Sequence, residues 1–207
     1  MEKGNNYRDK YAGEEYYWGI RPSLPCFEVL KRMPPVKPYR LLDIGCGEGR
    51  NAVFFTRNGY RMTAFDLEEQ GLEKAHRLAR DVGVENQLNL FQADINEFSL
   101  TEEYDILFST GALHYLLKVL REEIFHNYKQ HTRKDGLKMF SVFVKKPFIS
   151  TVPEQEETAV VWLTGEPFNF YYDWKVEWCT EEIFDCDSSG VPHRHAVIRV
   201  LARKVIW

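Results

Sequence analysis

The segment Asp43-Ile44-Gly45-Cys46-Gly47-Glu48-Gly49 has the residue types and spacing of a ligand-binding turn. Glycines at alternate positions let a backbone bend sharply and approach a ligand closely. An apolar run at 39–44 reads as the strand before this turn, and 51–57 as the helix after it, ended by Asn58-Gly59. Acidic residues recur where strands should end: Asp43, Asp66 and Asp94. Asp66 follows Asp43 by 23 residues, about one strand–helix–strand unit. A carboxylate at that place can accept hydrogen bonds from ribose hydroxyls.

Two nucleoside ligands compete for such a turn. A dinucleotide fold wants G-x-G-x-x-G, the third glycine letting helix and strand pack closely. Counted from Gly45 that position is Arg50, and counted from Gly47 it is Ala52, so the fingerprint fails in both frames. The pattern present is Asp-x-Gly-x-Gly-x-Gly, which resembles motif I of the class I S-adenosylmethionine-dependent methyltransferases. Charge agrees with the difference. A pyrophosphate favours bare amide donors at a helix N-terminus. S-adenosylmethionine carries an ammonium and a sulfonium instead, so carboxylates such as Asp43 and Glu48 suit it.

The elements that must position these residues alternate. Strands are expected at 39–44, 60–65, 88–93, 104–109 and 137–144, the last after the turn Lys134-Asp135-Gly136. Leu72, Ala75, Ala79 and Val82 make one helical face stopped by Gly83, and Leu117, Leu120, Ile124 and Tyr128 make another. Two further strands, 175–179 and 196–206, have no helix between them and should pair antiparallel. The expectation is an α/β, Rossmann-like doubly wound sheet of about seven strands, mostly parallel with an antiparallel C-terminal hairpin. One domain is expected over 1–207: an arm or lid at 1–38, a cofactor-binding core at 39–146 and an antiparallel part at 147–207.

The class resemblance covers roughly residues 39–144. It implies that Gly45 and Gly47 pass under the methionine part and that Asp66 takes the ribose, with Leu67 beside the adenine. It implies that Asp94 meets the adenine amino group, that Ile95 offers its N–H to the ring, and that Ser109-Thr110-Gly111 lies beneath the sulfonium. A narrower likeness spans most of the chain after residue 39. Gly47-Glu48-Gly49-Arg50-Asn51, Asn58-Gly59-Tyr60, Asp66, Tyr171-Tyr172-Asp173-Trp174 and Leu201-Ala202-Arg203-Lys204 look like the tellurite-resistance methyltransferases. That family is associated with methylation of tellurium and selenium oxyanions. The implied cofactor is S-adenosylmethionine, leaving S-adenosylhomocysteine. Its expected contacts are Asp43, Gly45, Cys46, Gly47, Arg50, Asn51, Asp66, Leu67, Asp94, Ile95, Ser109 and Thr110. Cys46 reads as a small residue fitting a tight turn.

Methyl transfer is an in-line displacement, so the protein must align a nucleophile and exclude water. An anionic acceptor needs donors or positive charge, and arginine supplies a planar fork of donors. The loop before the last strand carries His193-Arg194-His195, with Arg199 beyond it, and His114 follows the fourth strand. His193, His195, Arg199 and His114 are therefore the expected catalytic set; a solvated polar turn and ordinary packing are the alternatives. Tyr16, Tyr17, Trp18 and Arg21 are expected to fold over the cofactor as a lid, the alternative being an arm packed on the sheet edge. Phe168, Phe170, Tyr171, Tyr172 and Trp174 read as core packing.

Composition bounds the reading. Lys plus Arg total 27 against 31 Asp plus Glu, a net charge of −4, which argues against non-specific nucleic-acid binding. No apolar run approaches the ~20 residues of a membrane span. The polar residues 1–10 show no secretion signal, so a cytoplasmic protein with reduced cysteines is expected. A zinc site from Cys179, Cys186, His193 and His195 matches no familiar finger spacing, and no metal is expected. The acidic run Glu154-Gln155-Glu156-Glu157 is assigned no role. A small-molecule partner is expected. Other acceptors remain open, a small organic molecule or a thiol, as do a non-catalytic cofactor-binding protein and, against Arg50, a nicotinamide enzyme.

Overall fold

A computed structural model describes residues 7–150, 162–187 and 192–205. The acidic run at 154–157 lies outside the described residues. In chain order the elements are α1 (Tyr7–Tyr11), α2 (Leu24–Arg32), β1 (Arg40–Ile44), α3 (Arg50–Arg57), β2 (Arg61–Asp66), α4 (Glu69–Asp81) and β3 (Leu88–Gln92). Then follow β4 (Tyr104–Thr110), α5 (Arg121–Gln130), β5 (Thr132–Val144), α6 (Glu166–Asn169), β6 (Lys175–Cys186) and β7 (His193–Arg203).

The strands form one sheet in the order β3-β2-β1-β4-β5-β7-β6. β1 to β5 run parallel, while β7 is antiparallel to both β5 and β6. This is the expected mostly parallel sheet with an antiparallel end. Strand order reverses between β1 and β4, and sheets of this kind bind ligands in the crevice beyond the strand ends at that point. Helices cover both faces, so the central strands are buried on both sides. Leu42, Leu107, Phe125 and Phe140 belong to one core, Leu41, Phe55, Phe108 and Met139 to the other. Fully burying one such side chain stabilises by about 1.5–3 kcal/mol.

Several boundaries differ from the sequence expectation. α4 ends at Asp81, leaving Val82 half-exposed; Leu78 completes the buried face with Leu72, Ala75 and Ala79. Leu120, at the N-cap of α5, packs against the same core as Ile124 and Tyr128, but Leu117 does not join that face. Leu113–Tyr115 and Lys118–Leu120 form two 3₁₀ turns, and Leu117 donates its N–H to Asn96 Oδ1 (2.9 Å) while its side chain is exposed. The turn expected at Lys134-Asp135-Gly136 lies inside β5. Asp135 adopts φ 61°, and the register against β4 slips between Tyr104 and Ile106, so the strand continues through a bulge. β6 is longer than expected, and β7 begins and ends three residues earlier than expected, so His193-Arg194-His195 lies within β7 instead of in a loop before it.

Candidate active site

The glycine turn joins β1 to α3 at the crevice. Phe65 carbonyl accepts the N–H of both Gly45 and Cys46 (2.9 Å each), tying the turn to β2. Gly45 has φ 71°, and a Cβ there would stand 2.2 Å from Ala112 Cβ, so only glycine fits. Gly49 caps α3 with φ 82°, and its missing side chain lets Ala75 of α4 close to within 2.5 Å of where a Cβ would be. Asp66 ends β2 and fixes the turn: its Oδ2 accepts Gly47 N–H (2.7 Å) and its Oδ1 accepts Glu68 N–H (3.0 Å). Burial raises the Asp66 pKa, and these amides oppose the rise. A carboxylate has about four lone-pair sites, so acceptor capacity remains for a ligand.

A cavity of about 620 Å³ opens beyond the strand ends. One end is lined by Asp66, Leu67, Asp94 and Ile95. Asp94 Oδ1 is held by Asn96 through its N–H (2.8 Å) and Nδ2 (3.1 Å). The middle lies over Gly45, Cys46, Gly47 and Thr110, and the far wall is Ser141, Phe143, Phe184, Val197 and Arg199. Asn51 bridges turn and arm: Nδ2 donates to Thr110 Oγ1 (3.0 Å), while Oδ1 accepts Ser23 N–H (2.9 Å).

The arm closes the remaining side. Tyr7, Tyr11 and Trp18 line the cavity, Tyr11 lying against Gly47 and Gly71. Glu48 anchors it. Its buried carboxylate accepts Tyr17 N–H (3.0 Å) on Oε1 and Trp18 N–H (3.1 Å) on Oε2, and pairs with Lys74 Nζ (2.8 Å). Arg50 Nη1 donates to Trp18 carbonyl (2.7 Å). The sequence suggests Glu48 as a partner for a cationic ligand; in the structure the arm and Lys74 engage it. Tyr7 and Tyr11 were missed, and only their aromatic character hinted at them.

Of the expected cofactor contacts, Gly45, Cys46, Gly47, Arg50, Asn51, Asp66, Leu67, Asp94, Ile95 and Thr110 line the cavity. Asp43 and Ser109 lie beneath it: Ser109 Oγ donates to Ile44 carbonyl (2.9 Å), and burial beside Asp66 pushes Asp43 up to about 8. Of the lid residues Trp18 lines the cavity, while Tyr17 contributes its backbone and Arg21 is exposed outside it. Of the second-substrate residues Arg199 alone lines the cavity; its Nη1 donates to Glu182 (2.7 Å). His193 and His195 stand further along β7, with His195 stacked on Phe143 (4.4 Å, 14°), and His114 is buried on the same ring (4.7 Å). Burial, with neighbouring imidazoles, lowers His114 to about 3 and His195 to about 4. Both are neutral at pH 7, so neither supplies the positive charge an anion needs.

The cavity suits adenosine joined to a cationic tail. A close-approach glycine cradle lies at its middle, and the carboxylates of Asp66 and Asp94 stand at one end. Glu68 adds a further carboxylate to the lining. Among the described residues no helix is long and apolar enough to cross a membrane.

Comparison with known proteins agrees. Residues 11–190 match the family described as tellurite resistance protein TehB. A probable S-adenosyl-L-methionine-dependent methyltransferase TehB of Haemophilus influenzae is 27% identical over 182 residues, covering 86% of this chain and 61% of that protein. This chain thus spans less than two thirds of that relative's length. A ubiquinone biosynthesis O-methyltransferase of Rickettsia canadensis is 27% identical over 116 residues, covering 55% and 48%. The crystal structure of TehB from Haemophilus influenzae superposes with TM-score 0.76 at 22% identity, covering 96% of this chain and 65% of that one. Coclaurine N-methyltransferase, solved with N-methylheliamine and SAH, gives TM-score 0.67 at 14% identity over 87% and 72%. The chain belongs to the TehB tellurite-resistance family, within the class I S-adenosylmethionine-dependent methyltransferases.

Proposed function

We propose that this chain, in the cytosol, transfers a methyl group from S-adenosylmethionine to a small tellurite- or selenite-type oxyanion. The observation that carries the acceptor class is Arg199. Among the described lining residues the cationic side chains are Arg50 and Arg199, and Arg50 is engaged by the arm at Trp18. Arg199 faces the cavity from β7, on the wall away from Asp66 and Asp94. Its remaining guanidinium donors suit an oxyanion.

Asp66 would hold the ribose, Leu67, Asp94 and Ile95 the adenine, and the Gly45–Gly47 backbone the methionine part. The cofactor supplies an electrophilic methyl on a sulfonium; the acceptor's lone pair takes that carbon, and sulfur keeps the broken bond's electron pair. Arg199 orients the anion, Tyr11, Trp18 and Tyr115 exclude water, and Phe143 and Phe184 form a dry wall. An acceptor arriving deprotonated needs no general base, in keeping with neutral His114 and His195.

Release of S-adenosylhomocysteine together with a monomethylated tellurium or selenium oxyanion, read by mass spectrometry after mixing the oxyanion and S-adenosylmethionine with the chain, tests this directly. Arg199→Ala should raise KM for the oxyanion at least tenfold and leave S-adenosylhomocysteine affinity unchanged by calorimetry. The apolar wall of Phe143, Phe184 and Val197 favours a second reading, a small organic acceptor. Turnover of organic acceptors without turnover of either oxyanion would establish it.

A further inference from the structure

We propose that Cys186, His193 and His195 form a site for a thiophilic divalent cation of the zinc type, at the turn end of the β6–β7 hairpin. The site adjoins the cavity without lining it, and it stands independently of which acceptor is methylated.

The argument begins with register. Cys186 pairs with His193 and Phe184 with His195 across the antiparallel ladder. Cross-strand partners share a face, as do residues two apart on one strand. The thiol and both imidazoles therefore share one face. Their ligand atoms all lie within 4.8 Å of one another. The two Nε2 atoms are 2.8 Å apart, on rings inclined at 89°. With metal–nitrogen bonds of about 2.0–2.1 Å and a metal–sulfur bond of about 2.3 Å, a tetrahedral ion needs N···N near ~3.3 Å and N···S near ~3.6 Å. Opening the imidazoles by about half an ångström meets the first requirement.

The surroundings suit a metal. His195 is buried and backed by Phe143 and by Phe184 (5.6 Å), which fixes its ring, while Cys186 and His193 are partly exposed and leave a way in. Two imidazoles and one thiol form a borderline-soft donor set, and among the described residues these three side chains make up the cluster. Cys179 pairs with Val200, an odd number of residues from His193, so it lies on the opposite face and does not complete a four-residue set. Bound metal would clip β6 to β7 beside Phe184, stiffening the cavity wall.

The probe is Co²⁺, added to the full chain after chelator treatment and without S-adenosylmethionine. One equivalent should produce tetrahedral visible absorption with a thiolate-to-cobalt charge-transfer band, and Zn²⁺ should bleach both. Cys186→Ser should lose the charge-transfer band and Cys179→Ser should keep it, while His193→Ala should weaken affinity by more than ~10-fold. A second measurement needs no variant: in the wild type, Zn²⁺ should slow alkylation of Cys186 while leaving Cys179 unaffected. Absence of the band, its survival in Cys186→Ser, or equal Cys186 alkylation with and without Zn²⁺ would each overturn the proposal. Loss of methyl transfer with metal binding intact would count against the acceptor reading alone.

Discussion

Glu48 holds the arm onto the glycine turn, and replacing it with glutamine shows how much that contact contributes. The substitution preserves shape and removes charge. Its partners are Lys74 Nζ at 2.8 Å and the amides of Tyr17 and Trp18, at 3.0 and 3.1 Å, in a nearly dry setting. Removing one member of a buried ion pair costs about 3–5 kcal/mol, because the other charge stays buried. Lys74 Nζ also donates to Glu15 carbonyl (2.5 Å), which offsets part of that cost, so the lower end applies. A loss of ~3 kcal/mol in a chain of this size corresponds to a melting temperature lower by about 6–12 °C. The glutamine keeps one acceptor oxygen, so the amide facing it drops from charge-assisted strength, about 1.5–3 kcal/mol, to about 0.5–1.5, and the other amide faces an NH2 donor and loses its bond. Losing ~1 kcal/mol at the retained amide should speed its hydrogen exchange about fivefold, and the amide left without an acceptor should exchange faster still. Calorimetry and exchange mass spectrometry over residues 14–20 measure both effects. Adding Lys74→Met should restore most of the melting temperature by removing the stranded charge. Unchanged exchange at Tyr17 and Trp18 in Glu48→Gln, or no recovery in the double variant, would refute this account.

Asp66→Asn keeps one acceptor for Gly47 N–H but loses the charge; S-adenosylhomocysteine affinity should fall about 10–100-fold by titration calorimetry. Gly45→Ala forces φ 71° on a side chain 2.2 Å from Ala112, so it should destabilise by about 2–5 kcal/mol in urea melts. His114 is held neutral by burial, with its pKa near 3, so the unfolded chain binds its proton first on acidification. Its contribution to stability is complete above about pH 6.5 and is lost as pH falls towards 3, at up to ~1.4 kcal/mol per pH unit. Urea melts at pH 7 and 5 should show that slope, reduced in His114→Phe.

The parts of the fold legible in the sequence are those with short-range causes. The β1 turn, the α4 face and the acidic strand ends follow from periodicity and glycine placement, and all reappear in the structure. Contacts between distant segments were not legible. Glu48 meets Tyr17 and Trp18 from some 30 residues away, and nothing local marks it as their acceptor. His193 and His195 look like loop residues because polar types precede the apolar run. Pairing with β6 extends the strand through them and carries them past the cavity wall. Leu117 fits a helical spacing, yet the Asn96 contact at its backbone takes it out of the helix.

The place of β7 bears on how the chain is made. β7 follows β6 in sequence, yet it lies between β5 and β6 in the sheet. As residues leave the ribosome, β6 emerges with no neighbour to pair with, and it waits as an unpaired ribbon until residues 193–203 follow. The crevice half holding Asp66 and Asp94 can assemble from the strands already present. The wall bearing Val197 and Arg199 forms last, by an insertion that satisfies two ladders at once. Such long-range pairing is slow, and the waiting edge is exposed to other chains. Crowded or rapid synthesis should therefore first yield molecules in which the Asp66–Asp94 half of the crevice is built and the wall bearing Val197 and Arg199 is missing.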